Sequence, residues 1–157
     1  MAAAARRAPR ARGFTLLEVL VVLALIAIAS ALAAGALTGG LAGLRLRSSA
    51  NEIAAQLRYT RAQALATGEA QRFVIDPRAH RWRAPKDRHG DVPRALGIAF
   101  IGARETQPAQ GVGAIVFFPD GASTGGRVQL TAKRAAWNVD VAWLTGEVRV
   151  ARAEPAQ

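Results

Sequence analysis

The chain has 157 residues, 51% of them hydrophobic, and a formal net charge of +10. That length allows one modest domain beside a terminal helix. With no cysteine, disulfides and thiolate metal centres are excluded, and the basic balance suits anionic partners without specifying a fold.

Residues 1–12 are rich in alanine and carry Arg6, Arg7, Arg10 and Arg12. After Glu18 no formal charge occurs until Arg45, which leaves a charge-free run of 26 residues from Val19 to Leu44. As a helix that run spans about 39 Å, and a bilayer core needs only about 20 apolar residues. The positive-inside rule keeps the four leading arginines cytoplasmic and sends the C-terminal portion across the membrane. An ordinary signal peptide has an apolar core of roughly 7–15 residues, shorter than this one. Glu18 is the odd residue, because a carboxylate at the start of an apolar span is costly and marks function. Thr15-x-x-Glu18 also reads as a capping box. Gly35, Gly39, Gly40 and Gly43 in the second half permit close helix packing or a local bend.

The helix is predicted to continue. Leu46, Ala50, Ile53, Ala54, Leu57, Ala64 and Leu65 form one apolar stripe, with Arg47, Glu52, Arg58 and Gln63 off it. Thr67-Gly68 is the expected stop. Short strands follow: Arg72–Ile75, a turn at Asp76–Ala79, then His80–Arg83. Lys86–Ala95 reads as loop, Gly97–Ile101 as strand and Gly102–Gly113 as loop. Ala114–Phe118, the most apolar run outside the spanning helix, is expected to be a central strand. Pro119–Gly126 is a turn cluster. Arg127–Thr131 alternates. Trp137, Val139, Val141 and Trp143 share one face of the next strand. Glu147–Val150 closes the series, with a frayed tail from Ala151. The expectation is an α+β fold: one long N-terminal helix, transmembrane then amphipathic, packed on a small antiparallel sheet. Its divisions are a leader (1–13), a spanning helix (14–44) and a C-terminal domain (45–157) with an amphipathic helix at 45–67 and strands over 71–150.

No catalytic constellation appears. His80 and His89 are the only histidines, both among arginines. Gly121–Gly126 lies between strands, where turn chemistry explains it. Asp120 is an isolated acid, whereas calcium needs six or more oxygen ligands. No metal, cofactor or catalytic residue is assigned. Arg72, Arg78, Arg81, Arg83, Lys86 and Arg88 form a basic cluster around Trp82, a candidate surface for nucleic acid or an acidic partner. A solvated hairpin is the favoured reading, since Arg occurs 19 times and Lys twice in the chain and base-stacking platforms carry more exposed aromatics. The three tryptophans are expected in the core.

Gly13-Phe14-Thr15-Leu16-Leu17-Glu18, behind arginines and ahead of an apolar helix, resembles the processing site of type IV prepilins and type II secretion pseudopilins. The resemblance implies cleavage between Gly13 and Phe14 by a membrane peptidase, N-methylation of Phe14, and a role for Glu18 in filament assembly. Phe117-Phe118-Pro119-Asp120-Gly121 with Ser123–Gly126, then Trp137 and Trp143-Leu144-Thr145-Gly146, is similar to the C-terminal pattern of the GspH/FimT family. Leu57–Ala66, with Arg58, Arg61 and Ala64, resembles that family's helix before its first hairpin. The family's secretion branch holds H-type minor pseudopilins near the tip of a periplasmic pseudopilus that drives folded proteins through an outer-membrane channel. Its pilus branch holds type IV minor pilins, some linked to DNA uptake. Gly35, where many pilins place proline, and the Trp-Leu-Thr-Gly ending favour the secretion branch. The implied partners are other pseudopilins, the prepilin peptidase and the inner-membrane assembly platform, with nucleic acid disfavoured.

Overall fold

The computed structural model describes residues 15–102, 111–133 and 135–153, with backbone alone at 33–41. Helix α1 runs Leu16–Thr67. Thr15 caps its start: the hydroxyl accepts the Glu18 N–H at 3.2 Å, satisfying one donor that no helical carbonyl can reach. Gly68 ends it at φ 69°, with its N–H donated to the Ala64 carbonyl at 3.1 Å, an αL cap.

The chain forms two compact units, 1–39 and 40–157. In the first, every side chain from Thr15 to Leu32 is exposed. No helical stretch among the described residues is long and apolar enough to cross a membrane. The expected span at 14–44 lies partly outside those residues, as Phe14 and the side chains of 33–41 do.

In the second unit the helix buries Leu46, Ala50, Ile53, Ala54, Leu57 and Ala64, as the stripe predicts. Leu65 departs from it and is exposed, because Ala64 fills the buried position of the last turn and the next residue is rotated about 100° away. Thr60 is buried although polar; its hydroxyl donates to the Gln56 carbonyl at 2.7 Å, which removes the penalty for an unpaired group.

Among the described residues eight strands follow: β1 (Gln71–Asp76), β2 (Arg81–Ala84), β3 (Arg88–Asp91), β4 (Gly97–Ile101), β5 (Gly113–Phe117), β6 (Gly126–Ala132), β7 (Ala135–Val141) and β8 (Val148–Ala153). They make two four-stranded sheets, ordered β3-β2-β1-β5 and β4-β6-β7-β8, antiparallel throughout. One sheet was the expectation. Gly125 and Gly126, at φ 69° and 150°, redirect the chain out of the first sheet and into the second.

Three further expectations are corrected. Lys86–Ala95 is not all loop: Lys86 and Asp87 adopt φ 57° and 56°, closing a hairpin that pairs β3 with β2. A strand as polar as Arg-His-Gly-Asp carries no alternating signal, which is why the sequence hides it. β5 is the outer strand of its sheet rather than a central one. Its far edge is covered locally: the Val116 N–H donates to Thr124 Oγ1 at 3.1 Å, and Thr124 N–H donates back to the Val116 carbonyl at 2.9 Å. Finally, only Trp82 is buried; Trp137 is half-buried, and Trp143 lies past the end of β7 and is exposed.

One core joins the helix to both sheets. Phe73, Ile75, Ile115 and Phe117 come from the first sheet and Val128, Leu130 and Val139 from the second, all fully buried with the helical stripe. Each large side chain so buried contributes about 1.5–3 kcal/mol. Trp82 stacks on Phe73 with ring centroids 6.3 Å apart and lies over Gly90, where a Cβ would sit 2.5 Å from its ring.

Candidate assembly site

Gly13 and Phe14 lie outside the described residues. Glu18 stands in the first turn of α1 and is exposed. The cap uses the Glu18 backbone N–H and leaves its carboxylate without an ion pair among the described residues. The helix N-terminus favours a negative charge there, by about 0.3–1 kcal/mol. Capping and a second role for the carboxylate are therefore compatible.

The basic cluster is divided rather than assembled. Arg81 and Arg83 face outward from β2, with Arg72 on the same side of β1, as the pairings Val74–Arg83 and Asp76–Arg81 require. Arg81 pairs with Asp91 at 3.1 Å. Arg88 turns the other way: its Nε donates to Gln56 Oε1 at 3.0 Å, and its guanidinium lies 4.5 Å from the Tyr59 ring centre. Arg78 and Lys86 occupy the turns at opposite ends of the hairpin. Trp82, being buried, offers no ring for a base to stack on. The arrangement is a solvated hairpin with one arginine recruited to hold the helix.

A second group of contacts was not legible beforehand. Arg58 Nη2 donates to the Val148 carbonyl at 3.0 Å. Arg61 Nε donates to the Gly121 carbonyl at 3.1 Å. The turns 118–125 and 142–146 fold onto one another beneath these arginines. Ser123 N–H donates to the Trp143 carbonyl at 2.8 Å, and Ser123 Oγ donates to the Ala142 carbonyl at 3.1 Å. At Gly146 (φ 62°) a Cβ would lie 2.2 Å from the Gly121 carbonyl oxygen and 2.9 Å from Arg61 Nε. The glycines are needed for close approach as much as for conformation. The two C-terminal motif blocks are thus one clasp, locked to the helix by Arg61. Nearby, Arg149 grips Glu147 with two hydrogen bonds of 2.9 and 2.8 Å, and this pairing holds the Glu147 carboxyl below its ordinary range. Arginines four and seven residues before Leu65 were the available signal, but nothing in their spacing named their partners.

Among the described residues no three His, Asp or Glu side chains cluster as a metal site would need.

Residues 49–146 match the family described as type II transport protein GspH, and residues 9–34 match the prokaryotic N-terminal methylation motif. The type II secretion system protein H of Xanthomonas campestris pv. campestris is 64% identical over 138 residues, which are 88% of this chain and 82% of that protein. The minor pseudopilin EpsH of the Vibrio cholerae type 2 secretion system has the same fold, with a TM-score of 0.55 at 16% identity over 69% of this chain and 97% of that one. The type IV minor pilin FimU of Pseudomonas aeruginosa is also similar, with a TM-score of 0.51 at 15% identity over 68% of this chain and 92% of that one. Together the match over residues 49–146 and the 64% identity to a secretion protein H place this pilin-like α+β chain in the GspH family.

Proposed function

We propose that the chain is a structural minor pseudopilin of a type II secretion pseudopilus, placed near its tip and helping to drive folded proteins across the outer membrane. The observation that carries this reading is the 64% identity to a type II secretion system protein H over 88% of the chain. The fold alone does not choose the branch, since EpsH and FimU resemble it comparably.

The methylation motif at 9–34 supports the N-terminal chemistry. A membrane peptidase removes residues 1–13 and leaves Phe14 as a methylated amino terminus. Phe14 and Glu18 are then four apart on one helix face. In apolar surroundings a lone carboxylate is costly and a cation offsets much of that cost. The Glu18 carboxylate, free of the cap, pairs with its own amino terminus or with that of a neighbouring subunit. The arginine leader keeps the N-terminus cytoplasmic, residues 14–44 anchor the chain in the inner membrane, and residues 45–157 face the periplasm. Other pseudopilins, the prepilin peptidase and the assembly platform are its partners.

A strain lacking the chain tests this. Folded proteins should accumulate in its periplasm, with export restored by the gene in trans. Intact export together with lost DNA uptake would move the chain to the pilus branch.

A further inference from the structure

Four large apolar side chains stand exposed around the clasp: Leu65 at 47%, Phe118 at 39%, Trp143 at 70% and Leu144 at 66%. They do not belong to loose segments. The 142–146 turn is tied by Gly146 N–H to Ala142 O at 2.8 Å, Ala142 N–H to Glu147 O at 3.0 Å and Ser123 N–H to Trp143 O at 2.8 Å. Leu65 and Arg61 meet on Gly121, where a Cβ would lie 3.3 Å from Leu65 Cδ2 and 3.2 Å from Arg61 Nη2. Beside them opens a cavity of about 310 Å³ lined by Arg58, Arg61, Thr145, Gly146, Glu147 and Val148.

The charge of this cavity is unbalanced. Glu147 is the acid in its wall, and Arg149 already holds both Glu147 oxygens. Arg58 and Arg61 each give one donor to a backbone carbonyl, which fixes their guanidinium groups and leaves further N–H donors on each. Fixed arginines, Arg58 exposed and Arg61 half-buried, and an exposed tryptophan on the rigid turn that also supplies Thr145 and Gly146 to the cavity wall are the residue types that dominate binding energy at protein interfaces. Their orientation costs little extra entropy on binding.

We infer that this end of the domain docks a partner protein through an apolar segment carrying a carboxylate, the apolar side chains meeting Leu65, Trp143 and Leu144 and the carboxylate entering the cavity between Arg58 and Arg61. The cationic excess selects the carboxylate over a basic or purely apolar occupant. The inference rests on the pseudopilus reading for the source of the partner, a neighbouring component of the secretion apparatus.

Photo-crosslinking of the full chain in secreting cells tests it, with a crosslinker in place of Leu144 and, separately, of Val22 in the N-terminal helix. The expected result at position 144 is an adduct with another protein whose crosslinked peptide contains Asp or Glu. Arg58→Glu should lower its yield about thirtyfold, the lower end of a hot-spot loss, and reversing the partner's carboxylate to Arg should restore it. Should Arg58→Glu be degraded, Leu65→Asp decides, since it sets a like charge at an exposed rim position and should lower the yield comparably. An adduct with lipid alone, with a second copy of this chain alone, or with a protein indifferent to these substitutions overturns the inference. In the chain without further substitution, absence of a position-144 adduct while the Val22 adduct forms rejects the inference alone; absence of both rejects the pseudopilus reading.

Discussion

Gly146→Ala measures how tightly the clasp is built. Gly146 sits at φ 62°, a conformation that costs an L-residue about 1–2 kcal/mol. The added Cβ would also lie 2.2 Å from the Gly121 carbonyl oxygen, a backbone atom that cannot swing aside. Overpacking of that kind costs about 1–3 kcal/mol. The sum, about 2–5 kcal/mol, is a large part of a typical domain stability of about 5–15 kcal/mol. At about 4 °C per kcal/mol for a domain of this size, the midpoint should fall by about 8–20 °C. Gly68→Ala is the matched control: its φ is 69°, but nothing lies within 4 Å of the added carbon. It should cost the conformational part alone, about 1–2 kcal/mol. Thermal proteolysis of the full chain in detergent gives both midpoints. Equal losses for the two variants would refute the close approach of the two turns, and with it the clasp.

Other outcomes follow from the same geometry. Gly90→Ala drives a Cβ into the Trp82 ring at 2.5 Å and should cost about 1–3 kcal/mol, with Trp82 emission shifted to longer wavelength at unchanged temperature. The chain should bind duplex DNA weakly at physiological salt, because the cluster is split and Trp82 is buried; a submicromolar dissociation constant abolished by replacing Arg81 and Arg83 would contradict the hairpin reading. The Glu147 carboxyl should titrate below its ordinary value of 4.5. A lowered folded pKa means that the pair's contribution is present above that value and is lost only as pH falls through the folded pKa. Arg149→Ala should return the NMR titration midpoint toward 4.5, and an unchanged midpoint would show that Arg149 is not the cause.

Much of the fold was legible because the periodicities were clean. Leu46 to Ala64 repeats at helical spacing, Gly68 supplies the stop, and Val128–Leu130 and Val139–Val141 alternate as half-buried strands do. What failed had local physical reasons. β3 forms through two non-glycine residues at positive φ and an Arg81–Asp91 pair, neither visible as hydrophobic pattern. The division into two sheets depends on Gly125 and Gly126, which a turn reading locates without giving the direction of the exit. Trp143 continues the period of β7, but the strand ends at Val141 and the turn carries the ring outward. The N-terminal methylation motif that residues 9–34 match was readable because a carboxylate inside an apolar run stands out. The clasp was not, because Arg61, Gly121 and Gly146 are distant in sequence and each has an ordinary local explanation.

The central claim is that the helix N-terminus assembles this chain into a filament, and Glu18→Ala tests it most directly. The variant should be inserted and cut like the parent, with mass spectrometry finding N-methylated Phe14 as the first residue of both. Cysteine crosslinking to the other pseudopilins should nevertheless fall sharply, and export with it, because the carboxylate proposed to meet an amino terminus is gone. Normal crosslinking and normal export by processed Glu18→Ala would contradict the account and leave the carboxylate only its favourable place at the helix N-terminus.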